Sequence, residues 1–329
     1  MLGVAFEREI LEQPDVWERV ARTAAAAQLA RELEQGVVFV GSGSSFFAAQ
    51  LGALALRRRG YDAHALAATE SQADRNAYQG RVVVALSQSG QSSDLLAALD
   101  QLHPRRIVAI TNTIPSPLTR LAARVIDVAA GPERAIPATK SVSTTIAILL
   151  GAASLMVGEH ERDAAALVET AREIREWMAR DLSHTIEAGQ ALAKKQHILV
   201  LGTDYGAPIA REGALKFKEA AYLHAEGFAA GEFRHGSSAI VDEGSAMVGI
   251  VDRDGAITVG RPLADAAATG VLRFAVGSVD LPGLERLGPI VGDAYNTLSW
   301  LATLQLLALH AARERGIDSD APRGLRKAL

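Results

Sequence analysis

The stretch Arg211–Gly236, REGALKFKEAAYLHAEGFAAGEFRHG, gathers Glu212, Lys216, Glu219 and His235 into one short segment. If its first half is helical, positions 212, 216 and 219 are spaced i, i+4 and i+7, so all three side chains share one face. Two carboxylates flanking an ammonium, with an imidazole a loop away, are suited to moving protons on and off oxygen and carbon near neutral pH. Spacing alone favours a blander arrangement, a solvated helix whose Glu212–Lys216 and Lys216–Glu219 pairs are common, weak surface ion pairs. The sequence around the segment decides between the two.

An internal repeat offset by 161 residues places this segment in a fold. GVVFVGSGSSFFAAQLGALALR (Gly36–Arg57) lies over HILVLGTDYGAPIAREGALKFK (His197–Lys218). Gly41 falls on Gly202, Ser42 on Thr203, Ala49 on Ala210, and Gly52-Ala53-Leu54 on Gly213-Ala214-Leu215. Each copy runs from a short β-branched strand through a glycine turn into an Ala/Leu helix, the opening of a parallel α/β unit. Further strands are expected at Arg81–Leu86, Arg106–Thr111 and Arg124–Val128, then at Ala239–Val241, Ala246–Val251 and Leu272–Val276. Short apolar strands alternating with helices imply two tandem doubly wound α/β domains with parallel sheets. The expected division is a first domain over 1–160, a helical bridge over 161–195 and a second domain over 196–329.

In such sheets ligands sit beyond the carboxyl ends of the strands. There the first half carries Gly41-Ser42-Gly43-Ser44-Ser45 and Ser87-Gln88-Ser89-Gly90-Gln91-Ser92. Either loop alone could be plain helix capping. On neighbouring strands, the two would converge hydroxyls and backbone N–H groups into an anion cradle, most plausibly for phosphate. GSGSSF puts Phe46 where a dinucleotide fingerprint needs its third glycine, and no Gly-Lys-Ser/Thr phosphate loop occurs. A phosphate without a nucleotide suggests a sugar phosphate.

Composition narrows the remaining classes. The net charge is −4, and no basic cluster exceeds Arg57–Arg59, which is expected to be a solvated helix end; nucleic-acid binding is not expected. The chain has no cysteine, which excludes disulfides and thiolate catalysis. Eight histidines show no metal-ligand spacing, so no metal or other cofactor is expected. His224, among Tyr222, Leu223 and Ala225, is expected to be a structural helix residue. The longest apolar runs, Ser143–Gly158 and Leu298–Ala312, fall short of the ~20 residues of a membrane span, and no signal peptide opens the chain. A soluble, cytoplasmic protein is the expectation.

SQSGQSSDLLAAL (Ser87–Leu99), ATKSVSTT (Ala138–Thr145), the REGALKFKE…HAE…GEFRHG block, PRGLRKAL (Pro322–Leu329) and the opening FEREILEQP together resemble the sugar isomerase (SIS) family. They look most like the isomerase half of glucosamine-6-phosphate synthase. The resemblance implies that Ser45, Ser87, Gln88, Ser89 and Ser92 hold a sugar phosphate, with Ser44 close by, and that Thr139 approaches the sugar hydroxyls. It makes Glu219 the base that moves a proton between carbons 1 and 2, assisted by Glu212 and Lys216. His235 would open the sugar ring from the neighbouring subunit of a homodimer, and Lys327 would form a Schiff base with the open-chain ketose phosphate. The matched motifs cover only the synthase's isomerase half, so hydrolysis of glutamine is not expected of these residues. His235-Gly236-Ser237 replaces the family's His-Gly-Pro, and two residues follow Lys327 in the sequence, fewer than in the synthase tail.

The resemblance implies an amino-sugar phosphate deaminase, converting glucosamine 6-phosphate into fructose 6-phosphate and ammonia. Its alternatives are an ammonia-dependent synthase running the other way, a fructosamine-phosphate deglycase, or, in a different class, a sugar-phosphate sensor without turnover. A sensor needs only the phosphate cradle, so retention of Glu212, Lys216, Glu219, His235 and Lys327 favours an enzyme.

Overall fold

The computed structural model describes residues 2–159, 163–180 and 182–326. The described residues form two compact units. One comprises Asp15–Glu133 and Lys140–Glu169; the other comprises residues up to Pro14, Arg134–Thr139 and the chain from Thr170 to Arg326.

The first unit carries strands β1 (Val37–Gly41), β2 (Ala63–Ala67), β3 (Val82–Leu86), β4 (Arg106–Thr111) and β5 (Arg124–Asp127) in the order β2-β1-β3-β4-β5. Every pairing is parallel. β1 and β3 are Val-rich and buried along their whole length, as strands covered on both faces must be. Val38, Val40, Val83 and Ala85 pack with Leu95, Ala98 and Leu99 of the helix Ser93–Leu102 to form the core on one face.

The second unit repeats the plan. Strands β6 (His197–Gly202), β7 (His224–Ala229), β8 (Ser245–Val251), β9 (Leu272–Gly277) and β10 (Glu285–Leu287) lie in the order β10-β9-β8-β6-β7, again all parallel. Read from the other edge this is the order of the first sheet. In both, strand order reverses beside the first strand, between β1 and β3 and between β6 and β8. That reversal opens a crevice at the carboxyl ends.

The repeated Gly-Ala-Leu trio has a packing reason. A Cβ at Gly52 would lie 3.0 Å from Leu149 of the helix Lys140–Met156, and one at Gly213 would lie 2.6 Å from Leu304 of the helix Asn296–Glu314. Each unit thus uses one glycine to let its crevice helix approach a long apolar helix. No helix among the described residues is long and apolar enough to cross a membrane.

Several local expectations need correction. Ser237–Ile240 is an exposed 3-10 turn, not a strand, because the apolar run there is too short to pair after Gly236 at φ 115°. His224 opens β7 rather than lying on a helix, since Tyr222 at φ 53° ends the preceding helix in a left-handed cap. Arg59 is not solvated. Its side chain is 7% exposed, donates to Ala55 O and Ser154 Oγ, and pairs with Glu159. β2 and β10 were not expected. AHALA and ERL lack the β-branched runs that mark a strand, and both are sheet edges.

Candidate active site

The helix Gly206–Ala221 carries the acid–base cluster. It packs against β6, β7 and the helix Asn296–Glu314, and Lys218 is its one exposed residue. Glu212, Lys216 and Glu219 do share a face. Lys216 Nζ lies 3.4 Å from Glu212 Oε1 and 2.5 Å from Glu219 Oε2. The solvated-helix arrangement fails, because Lys216 is 0% and Glu212 1% exposed. Glu219 is 20% exposed, the only member of the three that solvent can reach.

Burial pulls the Lys216 ammonium down. The charges of Glu212 and Glu219, and their hydrogen bonds, together outweigh that pull, so its pKa stands above the usual lysine value. Lys216 therefore stays protonated through the neutral range and cannot be a base. It braces Glu219 from below with a charge-assisted hydrogen bond. Buried Glu212 holds Lys216 in turn. The geometry presents one fixed carboxylate to whatever reaches this helix, with a permanent cation behind it.

In the first unit the two serine loops follow β1 and β3, which are paired neighbours as the cradle requires. Ser87 Oγ accepts from Gly90 N at 3.0 Å and Ser89 Oγ from Gln91 N at 3.2 Å. Ser92 caps the helix Ser93–Leu102 by accepting from Leu95 N at 3.5 Å. Hydroxyls that accept from the loop keep their own protons to donate outward. The loop is held in shape from β4's side. Gln88 O accepts from Asn112 N, Thr111 Oγ1 and Thr113 Oγ1, and Gly90 O accepts from Leu118 N. Gly90, at φ 62°, has no room for a Cβ, which would sit 2.1 Å from Ser116 Oγ. The helix Ser44–Arg57 starts at Gly43 without a side-chain cap, with Ser44 and Ser45 in its first turn.

The matching crevice of the second unit has the opposite chemistry. Its turns carry Asp204 after β6 and Asp252 and Asp254 after β8. Asp252 Oδ1 accepts from Gly255 N at 2.6 Å, so a carboxylate takes an amide that an anion would need. Burial pushes the Asp252 carboxyl up, the Gly255 amide works against it, and the charges of Asp254 and Asp204 push it up further. Such a crevice repels phosphate.

A stability prediction follows from that carboxyl. Folded Asp252 holds its proton more tightly than unfolded Asp252, so stability falls as pH rises from the ordinary aspartate range through the raised folded value. Asp252→Asn keeps an acceptor for Gly255 and is expected to raise the neutral-pH melting temperature by about 1–2 °C, after discounting for solvent screening. Thermal melts should show the gain at pH 7 and none at about pH 3, where both side chains are uncharged.

The remaining sequence-predicted residues are placed as follows. Thr139 is 0% exposed and directly precedes the helix Lys140–Met156. His235 is exposed, in the turn after the short helix Ala230–Phe233, and its amide donates to Glu232 O at 2.9 Å. Lys327 lies outside the described residues. Sequence reasoning missed Glu9, a wholly buried carboxylate on the helix Val4–Leu11. A signal was available: Glu9 lies three residues after Phe6 and directly before Ile10, so it falls on the face that those two apolar residues mark.

The SIS domain family model matches residues 34–155 and 191–276, one match on each sheet. Glutamine–fructose-6-phosphate aminotransferase (isomerizing) of Sulfurisphaera tokodaii is 33% identical over 297 residues, covering 89% of this chain and 49% of the relative. The chain spans about half the length of the curated relatives it matches. Among solved structures, the C-terminal domain of glucosamine-fructose-6-phosphate aminotransferase from Francisella tularensis superposes with a TM-score of 0.82 at 25% identity, covering 97% of this chain and 98% of that one. Glucosamine-6-phosphate deaminase from Thermotoga maritima shares the fold, with a TM-score of 0.81 at 21% identity over 98% of each chain. With both repeats matched, this chain belongs to the SIS domain family.

Proposed function

We propose that the protein is an amino-sugar phosphate deaminase of the aldose–ketose isomerase type, acting on glucosamine 6-phosphate. The observation that carries the reading is Glu219, a carboxylate open to solvent and fixed by a buried, permanently charged lysine. Moving a proton between adjacent carbons needs one base on one face of a planar intermediate. After His235 assists ring opening, Glu219 takes the carbon-2 proton, exchanges it with the solvent that reaches its carboxylate, and delivers a proton to carbon 1 while the aldehyde oxygen gains one. The amine at carbon 2 becomes an imine, and water releases ammonia, leaving fructose 6-phosphate. His235 serves the neighbouring subunit of a homodimer in this reading, and its exposure is compatible with that role.

The serine loops of the first unit hold the phosphate. Ser89→Ala is therefore expected to raise KM for sugar phosphate about tenfold or more with kcat changed much less, because one hydrogen bond to a charged group is lost in ground and transition states alike. Steady-state kinetics decide it, and an equal fall in kcat would refute the uniform-binding role.

The curated relatives named as aminotransferases favour a second direction of the same chemistry, synthesis from fructose 6-phosphate and ammonia. A panel of hexosamine 6-phosphates and fructosamine 6-phosphates, read by ammonia release without glutamine or nucleotide, tests the proposal. Glucosamine 6-phosphate should be the best substrate. Much faster cleavage of a fructosamine phosphate would make the protein a deglycase instead.

A further inference from the structure

Between β5 and the helix Lys140–Met156 the chain runs from Val128 to Thr139 without helix or strand, yet Ala135, Pro137 and Thr139 are buried. Buried irregular backbone must find partners for its amides. Glu9 supplies two of them. Its Oε1 accepts from Arg134 N at 2.5 Å and its Oε2 from Ala135 N at 3.2 Å, so successive amides each take one oxygen of a carboxylate that is 0% exposed.

The helix bearing Glu9 is itself fastened at several points within the same unit. Asp318 accepts from Gly3 N at 3.0 Å, and Asp320 accepts from Ala5 N at 2.8 Å and Phe6 N at 2.7 Å. Arg313 donates to both oxygens of Glu7, at 2.8 and 2.7 Å, and Phe6 and Ile10 are wholly buried beside Glu9. Glu9 thus projects from an anchored post, and only a carboxylate offers two equivalent acceptors to two adjacent amides.

We propose that Glu9 is a positioning residue that fixes the segment Arg134–Thr139 and thereby sets how the backbone of that segment, whose Thr139 side chain is buried, meets the sugar hydroxyls. The inference rests on the function proposed above for its catalytic consequence, and on the Glu9 contacts alone for its structural one. Glu9→Gln keeps size but turns an NH2 toward one of the two amides, so one contact is lost and becomes repulsive.

The test compares wild type, Glu9→Gln and the shorter Glu9→Asp by kinetics and amide hydrogen exchange. KM for glucosamine 6-phosphate is expected to rise about tenfold in Glu9→Gln. Inhibition by inorganic phosphate, which reads the serine loops, should change less than about twofold, and exchange across 134–139 should quicken about tenfold with the 206–221 helix unaffected. An unchanged KM would overturn the positioning role, as would phosphate inhibition weakening in step with KM, which marks general loosening. If wild type turns over no hexosamine phosphate, the function proposal fails; exchange at 134–135 then decides the Glu9 inference, unchanged protection overturning it. Should Glu9→Gln not fold, Glu9→Asp faces the same criteria with smaller shifts.

Discussion

Glu219→Gln is expected to slow carbon-2 proton transfer by about a hundredfold or more while sugar-phosphate binding stays within about twofold. The amide keeps the size of the side chain and can still accept from Lys216, so the helix need not rearrange. It loses the basic oxygen, which acts only as the proton moves; kcat and kcat/KM should fall together. Exchange of the carbon-2 hydrogen with deuterated water isolates that step from ammonia release. Near-normal exchange in the variant would remove Glu219 from the chemistry and leave it as Lys216's ion-pair partner.

Lys216→Met should have the largest effect on stability. Methionine nearly fills the lysine's volume, but it removes the buried cation that lies 3.4 Å from the Glu212 carboxylate, itself 1% exposed. Breaking a buried pair by removing one partner costs about 3–5 kcal/mol, far more than an exposed pair is worth. For a unit of this size that lowers the melting temperature by roughly 10 °C. Glu212→Gln in the same chain removes the buried carboxylate's charge and should restore part of the loss, although activity stays low because Glu219 no longer has its brace. Equal stability of Lys216→Met and wild type would mean that the carboxylates are hydrated, and that the cluster's burial is not what fixes Glu219.

The sequence made the architecture legible because its signals were local and repeated. Two β-branched strands, each followed by a glycine turn and a Gly-Ala-Leu helix, announce two copies of one unit, and the strand orders bear that out. The i, i+4, i+7 spacing of Glu212, Lys216 and Glu219 was equally readable. Their burial was not, because periodicity reports which face a residue shares and not what covers that face. The cue lay in the residues between. Ala210, Gly213, Ala214, Phe217, Ala220 and Ala221 are buried around the helix, and a helix apolar nearly all round is an interior one. Edge strands β2 and β10 escaped because their pairing comes from neighbours and not from their own composition. Contacts distant in sequence, such as Glu9 with Arg134 and Ala135, have no local signature beyond one charge on the face shared by Phe6 and Ile10.

The central claim is tested most directly by incubating the wild-type protein with glucosamine 6-phosphate in deuterated water, free of glutamine and nucleotide, and following carbon and nitrogen together. Loss of the carbon-2 hydrogen, one equivalent of ammonia, and fructose 6-phosphate carrying deuterium at carbon 1 is the result predicted. Retention of the carbon-2 hydrogen with no ammonia, while inorganic phosphate still binds the Ser87–Ser92 turn, would contradict it and leave a protein that holds sugar phosphates without transforming them.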